Sequence, residues 1–324
     1  MSSIVFPGLA GLMMLASAAP GQNGRIIDQQ PFTLDDSVAR RLQETAPDSL
    51  AAIEHVEMRE ITYLSDGLKV NGFLLAPKKE GRYPVIIFNR GGCKNFGALS
   101  RAYVARWLPT FASWGYVVVA SQYRGNGGSE GKDEFGGADV NDLLNLLPLI
   151  ESLPKADPTR IAMWGWSRGG FMTYLLLTRT DRIKAAVIGA APADMSTLAS
   201  QRKALRPDDD LEDFCFRDAI PNYDQHKQQA LEARSPIKWP EKLNRSTPIL
   251  LFHGTSDWRS SAQHSLDMAG ALLKLEHPFR LVLFEGGDHG LDFYIDEVDR
   301  ITKDWLDWYV RDGKSWPSME PHGQ

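Results

Sequence analysis

Cysteine is nearly absent from this chain: 324 residues carry two, Cys93 and Cys215. Two are too few for a framework of disulfides, and they come from distant segments. We read them as structural thiols, with a single bridge in an oxidising compartment as the alternative. A surplus of positive charge is also missing. With a net charge of -5, a pI near 5.8 and scattered lysines and arginines, the chain has nothing to draw it to nucleic acid or an anionic membrane. The glycine-rich loop Tyr123-Arg124-Gly125-Asn126-Gly127-Gly128-Ser129-Glu130 lacks the lysine of a phosphate-binding loop and opens no helix from its glycines, which excludes a nucleotide site. Arg124 is read instead as tying loops together, with Asp139 either capping the next helix or pairing with it. Asp208-Asp209-Asp210 lacks the spacing of a calcium loop, so no metal and no cofactor are expected. The apolar stretch Ile4 to Leu15, about twelve residues, is too short to span a bilayer. It is followed by Ala16-Ser17-Ala18-Ala19-Pro20, a small-residue cleavage pattern, although no Lys or Arg precedes it. Export, periplasmic or secreted, is the expectation if this leader is removed, and a cytoplasmic location if it is not.

What the chain does contain is a sharply punctuated strand end. The apolar run Ile161-Ala162-Met163-Trp164 leads straight into Gly165-Trp166-Ser167-Arg168-Gly169-Gly170. A G-x-S-x-G between a strand and a helix puts the serine on a tight, strained turn and lifts its hydroxyl clear of the sheet edge. β-carbons at the flanking positions would meet the neighbouring strand or helix, hence the glycines. Ser167 is therefore the candidate nucleophile.

A serine hydroxyl needs an imidazole to take its proton, and the imidazole needs a carboxylate to fix its tautomer and stabilise its charge. Two later strand ends supply them in order. Pro248-Ile249-Leu250-Leu251-Phe252 breaks at His253-Gly254-Thr255-Ser256-Asp257, and Arg280-Leu281-Val282-Leu283-Phe284 breaks at Glu285-Gly286-Gly287-Asp288-His289-Gly290. Ser167, Asp257 and His289 follow the chain order of the α/β-hydrolase arrangement. Asp194, also past a strand end, is the rival acid. Asp288 reads as a turn residue, His253 as a packed, hydrogen-bonded histidine, and His264 and His277 as surface or boundary residues.

An oxyanion formed at this serine requires amide donors. One is the N–H of Arg168, at the start of the following helix. The second is expected from the loop Asn89-Arg90-Gly91-Gly92-Cys93-Lys94-Asn95, where paired glycines permit close approach and Arg90 or Gly91 supplies the amide.

With 43% apolar and 24% charged residues the chain can bury one large core. Buried apolar runs such as Tyr116 to Ala120 alternate with amphipathic segments such as Leu99 to Trp114 and Val140 to Leu153. This alternation predicts an α/β fold with a mostly parallel, doubly wound sheet and helices on both faces. Ser65-Asp66-Gly67 predicts a hairpin. The expected organisation is a leader over residues 1–18, a linker and surface segment with a short helix over 19–56, one domain over 57–313, and a tail over 314–324. Residues 195–240 loosen into polar sequence and are read as a lid insertion, with Phe214, Phe216, Tyr223 and Trp239 either shaping a pocket or anchoring it. The final helix, Leu291 to about Tyr309, is expected to pack through Phe293, Ile301, Trp305, Leu306 and Trp308.

From about Ile61 onward the chain resembles the catalytic domain of the prolyl oligopeptidase (S9) serine peptidases and their single-domain hydrolase relatives. The resemblance rests on Tyr63 to Phe73, Tyr123 to Gly131, the Ser167 turn, His253 to Asp257, and Gly287 to Gly290. It implies the α/β-hydrolase fold and gives Ser167, Asp257 and His289 the nucleophile, acid and base roles. Two departures stand out. The family's peptidases commonly carry a tyrosine before the glycine pair of the oxyanion loop, where this chain has Arg90. The β-propeller that precedes the hydrolase domain in the large oligopeptidases is expected to be missing. The substrate is expected to be a small peptide, with a carboxylic ester as the alternative; a non-catalytic binding module is the reading from another class.

Overall fold

The computed structural model describes residues 22–323. The leader read at residues 1–18 lies outside them. In chain order the elements are β1 (Ile26–Pro31), α1 (Asp36–Thr45), α2 (Pro47–Ile53), β2 (Val56–Ser65), β3 (Leu68–Pro77), β4 (Tyr83–Asn89), α3 (Arg101–Ser113), β5 (Val117–Ser121), α4 (Val140–Leu144) and α5 (Leu146–Ser152). There follow β6 (Ala156–Trp166), α6 (Arg168–Leu177), β7 (Ile183–Gly189), α7 (Met195–Leu205), α8 (Tyr223–Glu232), β8 (Ile249–Gly254), α9 (Gln263–Lys274), β9 (Phe279–Phe284) and α10 (Ile295–Leu306). The strands form one nine-stranded sheet in the order β1-β2-β3-β5-β4-β6-β7-β8-β9. From β5 to β9 across the sheet the pairings are parallel, and the β1, β2 and β3 edge is antiparallel. This is the α/β-hydrolase architecture.

Local chemistry explains the elements. β5 is buried at every position because helices cover both faces of a parallel sheet. Asp66 and Gly67 both take positive φ, 51° and 83°, as a two-residue turn matched to strand twist requires. The segment read from sequence as a linker is partly sheet: β1 pairs antiparallel with β2. As an edge strand with only Ile26 half-buried and its other residues exposed, it carries no alternation of apolar and polar residues to reveal it.

Each sheet face has its own core. One packs α4, α5, α6 and the insertion between β7 and β8 through residues such as Met163, Phe171, Ile188, Leu198 and Phe216. The other packs α3 and α10 through Phe88, Phe111, Phe252, Val298 and Trp305. The C-terminal ends of the parallel strands, where a doubly wound sheet presents its ligand site, carry Ser167 after β6 and Asp257 after β8.

Several side chains differ from their expected surroundings. Phe293 is 96% exposed, because it lies on a short turn before α10 and off that helix's packing face. His264 and His277 are buried rather than superficial, His277 Nε2 donating to the Thr247 carbonyl at 2.8 Å. Arg124 pairs with Asp142 and Asp66, both at 2.8 Å, and not with Asp139. Asp139 instead accepts from the amides of Gly136 and Gly137 and pairs with Arg168.

Candidate active site

Ser167 sits at φ 57°, ψ -124°, a conformation that an L-residue holds only when the surroundings impose it. They do so here through contacts that tolerate no side chain. A β-carbon at Gly165 would lie 2.3 Å from the Gly169 carbonyl oxygen, and one at Gly169 would lie 1.9 Å from that of Asn89. The Ser167 amide donates to the Gly189 carbonyl at 2.8 Å, which pins the turn to β7.

The loop after β8 holds Asp257, and the loop after β9 holds His289. Their backbones are knitted together: the Ser256 amide donates to Gly287 O at 2.9 Å and the Gly286 amide to Thr255 Oγ1 at 2.8 Å. Asp257 Oδ2 lies 2.7 Å from His289 Nδ1. Burial would push the Asp257 carboxyl up, but hydrogen bonds from His253 and His289 hold it well below the usual range, so it remains ionised. Trp166 Nε1, beside the elbow serine, donates to the His289 carbonyl at 2.6 Å and fastens the histidine loop to β6. Among the described residues no hydrogen bond joins the Ser167 hydroxyl to the imidazole; both residues line one cavity of about 1170 Å³.

The rival acid Asp194 is engaged elsewhere, accepting from the Ser196 amide as the N-cap of α7. His253 lies 3.3 Å from Asp257 through Nε2, which also meets Ser260 O at 2.7 Å, while Nδ1 meets Ser265 Oγ at 2.7 Å. Its partnership with the acid was available in the sequence, four residues before Asp257, but its orientation was not. Burial, and then the nearby His253, bring His264 down to about 4.

Of the residues read as supplying oxyanion amides, Gly91 and Arg168 flank the serine. A β-carbon at Gly91 would lie 3.5 Å from Ser167 Cβ, and Gly91 and Arg168 both line the cavity. Arg90 is buried with its guanidinium turned inward, donating to the carbonyls of Gln122 at 3.0 Å and Lys94 at 3.0 Å, so its side chain braces the loop. The Arg168 side chain likewise turns away from the cavity: it meets Asp133 at 2.5 Å and Asp139 at 2.8 Å in the buried interior. Burial opposes ionisation of Asp133, yet the Arg168 charge holds its carboxyl well below the usual range.

The cysteines are joined. A disulfide links Cys93 of the loop after β4 to Cys215 of the insertion, with their Cα atoms 6.0 Å apart, and so corrects the reading of two structural thiols. Only the fold brings these segments together. The insertion comprises α7, a π-helical turn Glu212–Arg217 and α8. Of its four aromatics, Phe214 lines the cavity, while Phe216, Tyr223 and Trp239 are buried anchors.

Residues 103–314 match the prolyl oligopeptidase family. The chain is 30% identical over 256 residues to the uncharacterized peptidase YtmA of Bacillus subtilis, covering 79% of this chain and 94% of that protein. It is also 30% identical over 269 residues to the uncharacterized peptidase YuxL of the same organism, covering 78% of this chain but only 39% of YuxL. Among solved structures, acylaminoacyl peptidase in complex with Z-Gly-Gly-Phe-chloromethyl ketone superposes with a TM-score of 0.67 at 23% identity, covering 82% of this chain and 43% of that one. An acetyl xylan esterase from Paenibacillus sp. R4 superposes with a TM-score of 0.61 at 17% identity, covering 88% of this chain and 90% of the esterase. On the match across most of its length and the shared identity with YtmA, the chain belongs to the prolyl oligopeptidase family.

Proposed function

We propose that the chain is a serine peptidase acting on short peptides through an acyl-enzyme. Ser167 is the nucleophile, His289 the general base and then acid, and Asp257 the carboxylate that orients and stabilises the imidazole. The observation that carries this reading is the 2.7 Å contact between Asp257 and His289 Nδ1, made in the cavity that also holds the strained Ser167. That contact fixes the proton on Nδ1 and leaves Nε2 free to accept from the serine. The serine–imidazole contact is one that commonly shortens as substrate binds.

Attack on the carbonyl places negative charge on its oxygen, beside the amides of Gly91 and Arg168. The Arg168 amide belongs to the first turn of α6, where it has no acceptor within the helix and the helix dipole favours an anion. Protonated His289 then donates to the leaving amine, and water repeats the sequence in reverse. Peptidase relatives support the peptide as substrate.

Hydrolysis of a small carboxylic ester is the second reading. A cavity of about 1170 Å³ restricts bulky acyl groups little, and an ester leaving group needs less protonation than an amine. The esterase fold matched over 90% of its own length keeps this reading in view. Export is proposed with both: the disulfide suits an oxidising compartment, as the apolar leader does.

The test compares aminoacyl p-nitroanilides with short-chain p-nitrophenyl esters, with and without Ser167→Ala. Loss of both activities in the variant is expected, with anilides turned over appreciably by the wild type. Full activity in Ser167→Ala would overturn the nucleophile assignment. Failure of a fluorophosphonate to label the folded protein would favour a binding module instead.

A further inference from the structure

The cavity does not stop at the insertion. Its lining continues past Ser167 onto the opposite face of the sheet, between α3 and α10, where it is walled by Phe88, Trp164, Trp166, Tyr103, Trp107 and Asp299. Trp164 lies on β6, with β4 and β7 on either side, yet it is only partly buried. Interiors are close-packed, so an accessible tryptophan on a central strand means that the helix layer above it stands off. The floor is an aromatic stack: the buried Phe88 stacks on Trp164 at 4.9 Å between ring centroids, and Trp164 on Trp166 at 5.7 Å, so the two tryptophans supply its accessible part.

The charges over this floor are unbalanced in one direction. Asp292, Asp296 and Asp299 line the cavity, and none has an ion-pair partner among the described residues. The neighbouring cations are engaged: Lys303 with Asp307 at 2.6 Å, Arg300 with Glu297 at 3.5 Å, and Arg106 donating to Thr45 Oγ1 at 2.9 Å while it lies over the Trp107 ring. Burial, and then the charge of Asp296, push the Asp299 carboxyl up to about 6. A cation placed beside it would favour the ionised carboxylate and offset the charge of Asp296.

We infer that the α3–α10 side of the cavity is a second substrate subsite, which takes an aromatic or apolar group carrying a basic nitrogen. The group packs against the accessible parts of Trp164 and Trp166 and its ammonium meets Asp299, with Asp296 adding to the field. As a part of substrate recognition, this inference rests on Ser167 being the reacting centre. It gives the proposed peptidase a preference for substrates with an amine at the end of an apolar arm.

The probes are 4-phenylbutylamine and its neutral isostere 4-phenylbutan-1-ol, tested on the full chain as competitive inhibitors of p-nitrophenyl acetate hydrolysis. Binding is followed separately by quenching of tryptophan fluorescence. The amine is expected to inhibit with a constant about tenfold lower than the alcohol. Asp299→Asn, which keeps the shape of the side chain, should bring the two constants within about twofold, and Asp296→Asn should have the same effect more weakly. Trp164→Leu should weaken both probes, with its fold checked by thermal melting. Equal constants in the wild type, an amine advantage undiminished by Asp299→Asn, or no binding of either probe at millimolar concentration would overturn the inference. Failure of the catalytic reading is distinguishable: hydrolysis would then survive Ser167→Ala, while the fluorescence titration of that variant still reports whether the amine binds.

Discussion

On the insertion side of Ser167 Arg168 and Arg202 are held by carboxylates and the chain is fastened; on the α3–α10 side three carboxylates that line the cavity have no ion-pair partner among the described residues. Arg168 is shared by Asp133 and Asp139, Arg202 is held by Asp209 at 2.5 Å, and the Cys93–Cys215 bridge ties the loop carrying Gly91 to the insertion. Across the serine, three carboxylates face an aromatic floor with no cation paired to them among the described residues. Satisfied buried charge makes a rigid support, which suits the side proposed to hold the oxyanion amides in place before the reaction. Unsatisfied charge over apolar surface is a field waiting for a ligand. The contrast assigns positioning to one side and recognition to the other.

The strongest way to break the contrast is to remove what both sides share. Asp257→Asn should lower kcat/KM by about 10³ to 10⁴, because the imidazole loses the partner that sets its tautomer. The loss should be equal for p-nitrophenyl acetate and for an ester bearing an arylalkylamine. A loss confined to one substrate would mean that the two react at different centres. Next comes Arg168→Met, which strands two buried carboxylates and should cost about 3–5 kcal/mol in urea unfolding. Unfolding at the wild-type midpoint would show that water already reaches Asp133 and Asp139. Cys215→Ser frees a bridge spanning 122 residues of sequence and should cost about 2–4 kcal/mol. It should also raise KM for peptide anilides while leaving 4-phenylbutylamine affinity within about twofold. An equal loss of amine binding would show that the two sides are not mechanically separate.

The parts of this arrangement that were legible in sequence are those written into short contiguous stretches. The elbow announces itself because sterics force glycine at Gly165 and Gly169, and Asp257 and His289, which the fold brings into contact, each follow an apolar strand run. Contacts between distant segments left no such mark. The Cys93–Cys215 bridge requires the loop after β4 to meet the insertion, and the Arg168–Asp139 pair requires the start of α6 to meet the stretch before α4. Composition misled in two places. Trp164 looks like a core residue, and its accessibility depends on how far α3 and α10 stand from the sheet. β1 has mostly exposed side chains, so it joins the sheet through backbone hydrogen bonds that no side-chain pattern records. His264 and His277 carry no local sign of burial, yet the packing of α9 against the sheet encloses both.

The smallest expected effect sharpens the contrast through pH. Burial lowers His264, near the insertion, from 6.5 to about 4. Between those values the unfolded chain binds more protons, so this group's contribution to stability is lost as pH falls from about 6.5 to about 4. Asp299 has the opposite sign: raised from 3.8 to about 6, it binds its proton more readily in the folded chain, so stability is gained as pH falls from about 6 to about 3.8. At about 1.4 kcal/mol per unit each amounts to roughly 3 kcal/mol, and in the wild type the two largely cancel between pH 6 and 4. The carboxylates held low, Asp257 and Asp133, release their contributions only at lower pH. Asp299→Asn should therefore stabilise the protein at pH 7 and steepen its loss of stability toward pH 4.5, and His264→Gln should flatten that loss. Both are read from urea unfolding at pH 7, 5.5 and 4.5. An Asp299→Asn profile parallel to the wild type would mean that the carboxylate is already solvated, and the α3–α10 side would then offer a cation no more than open water does.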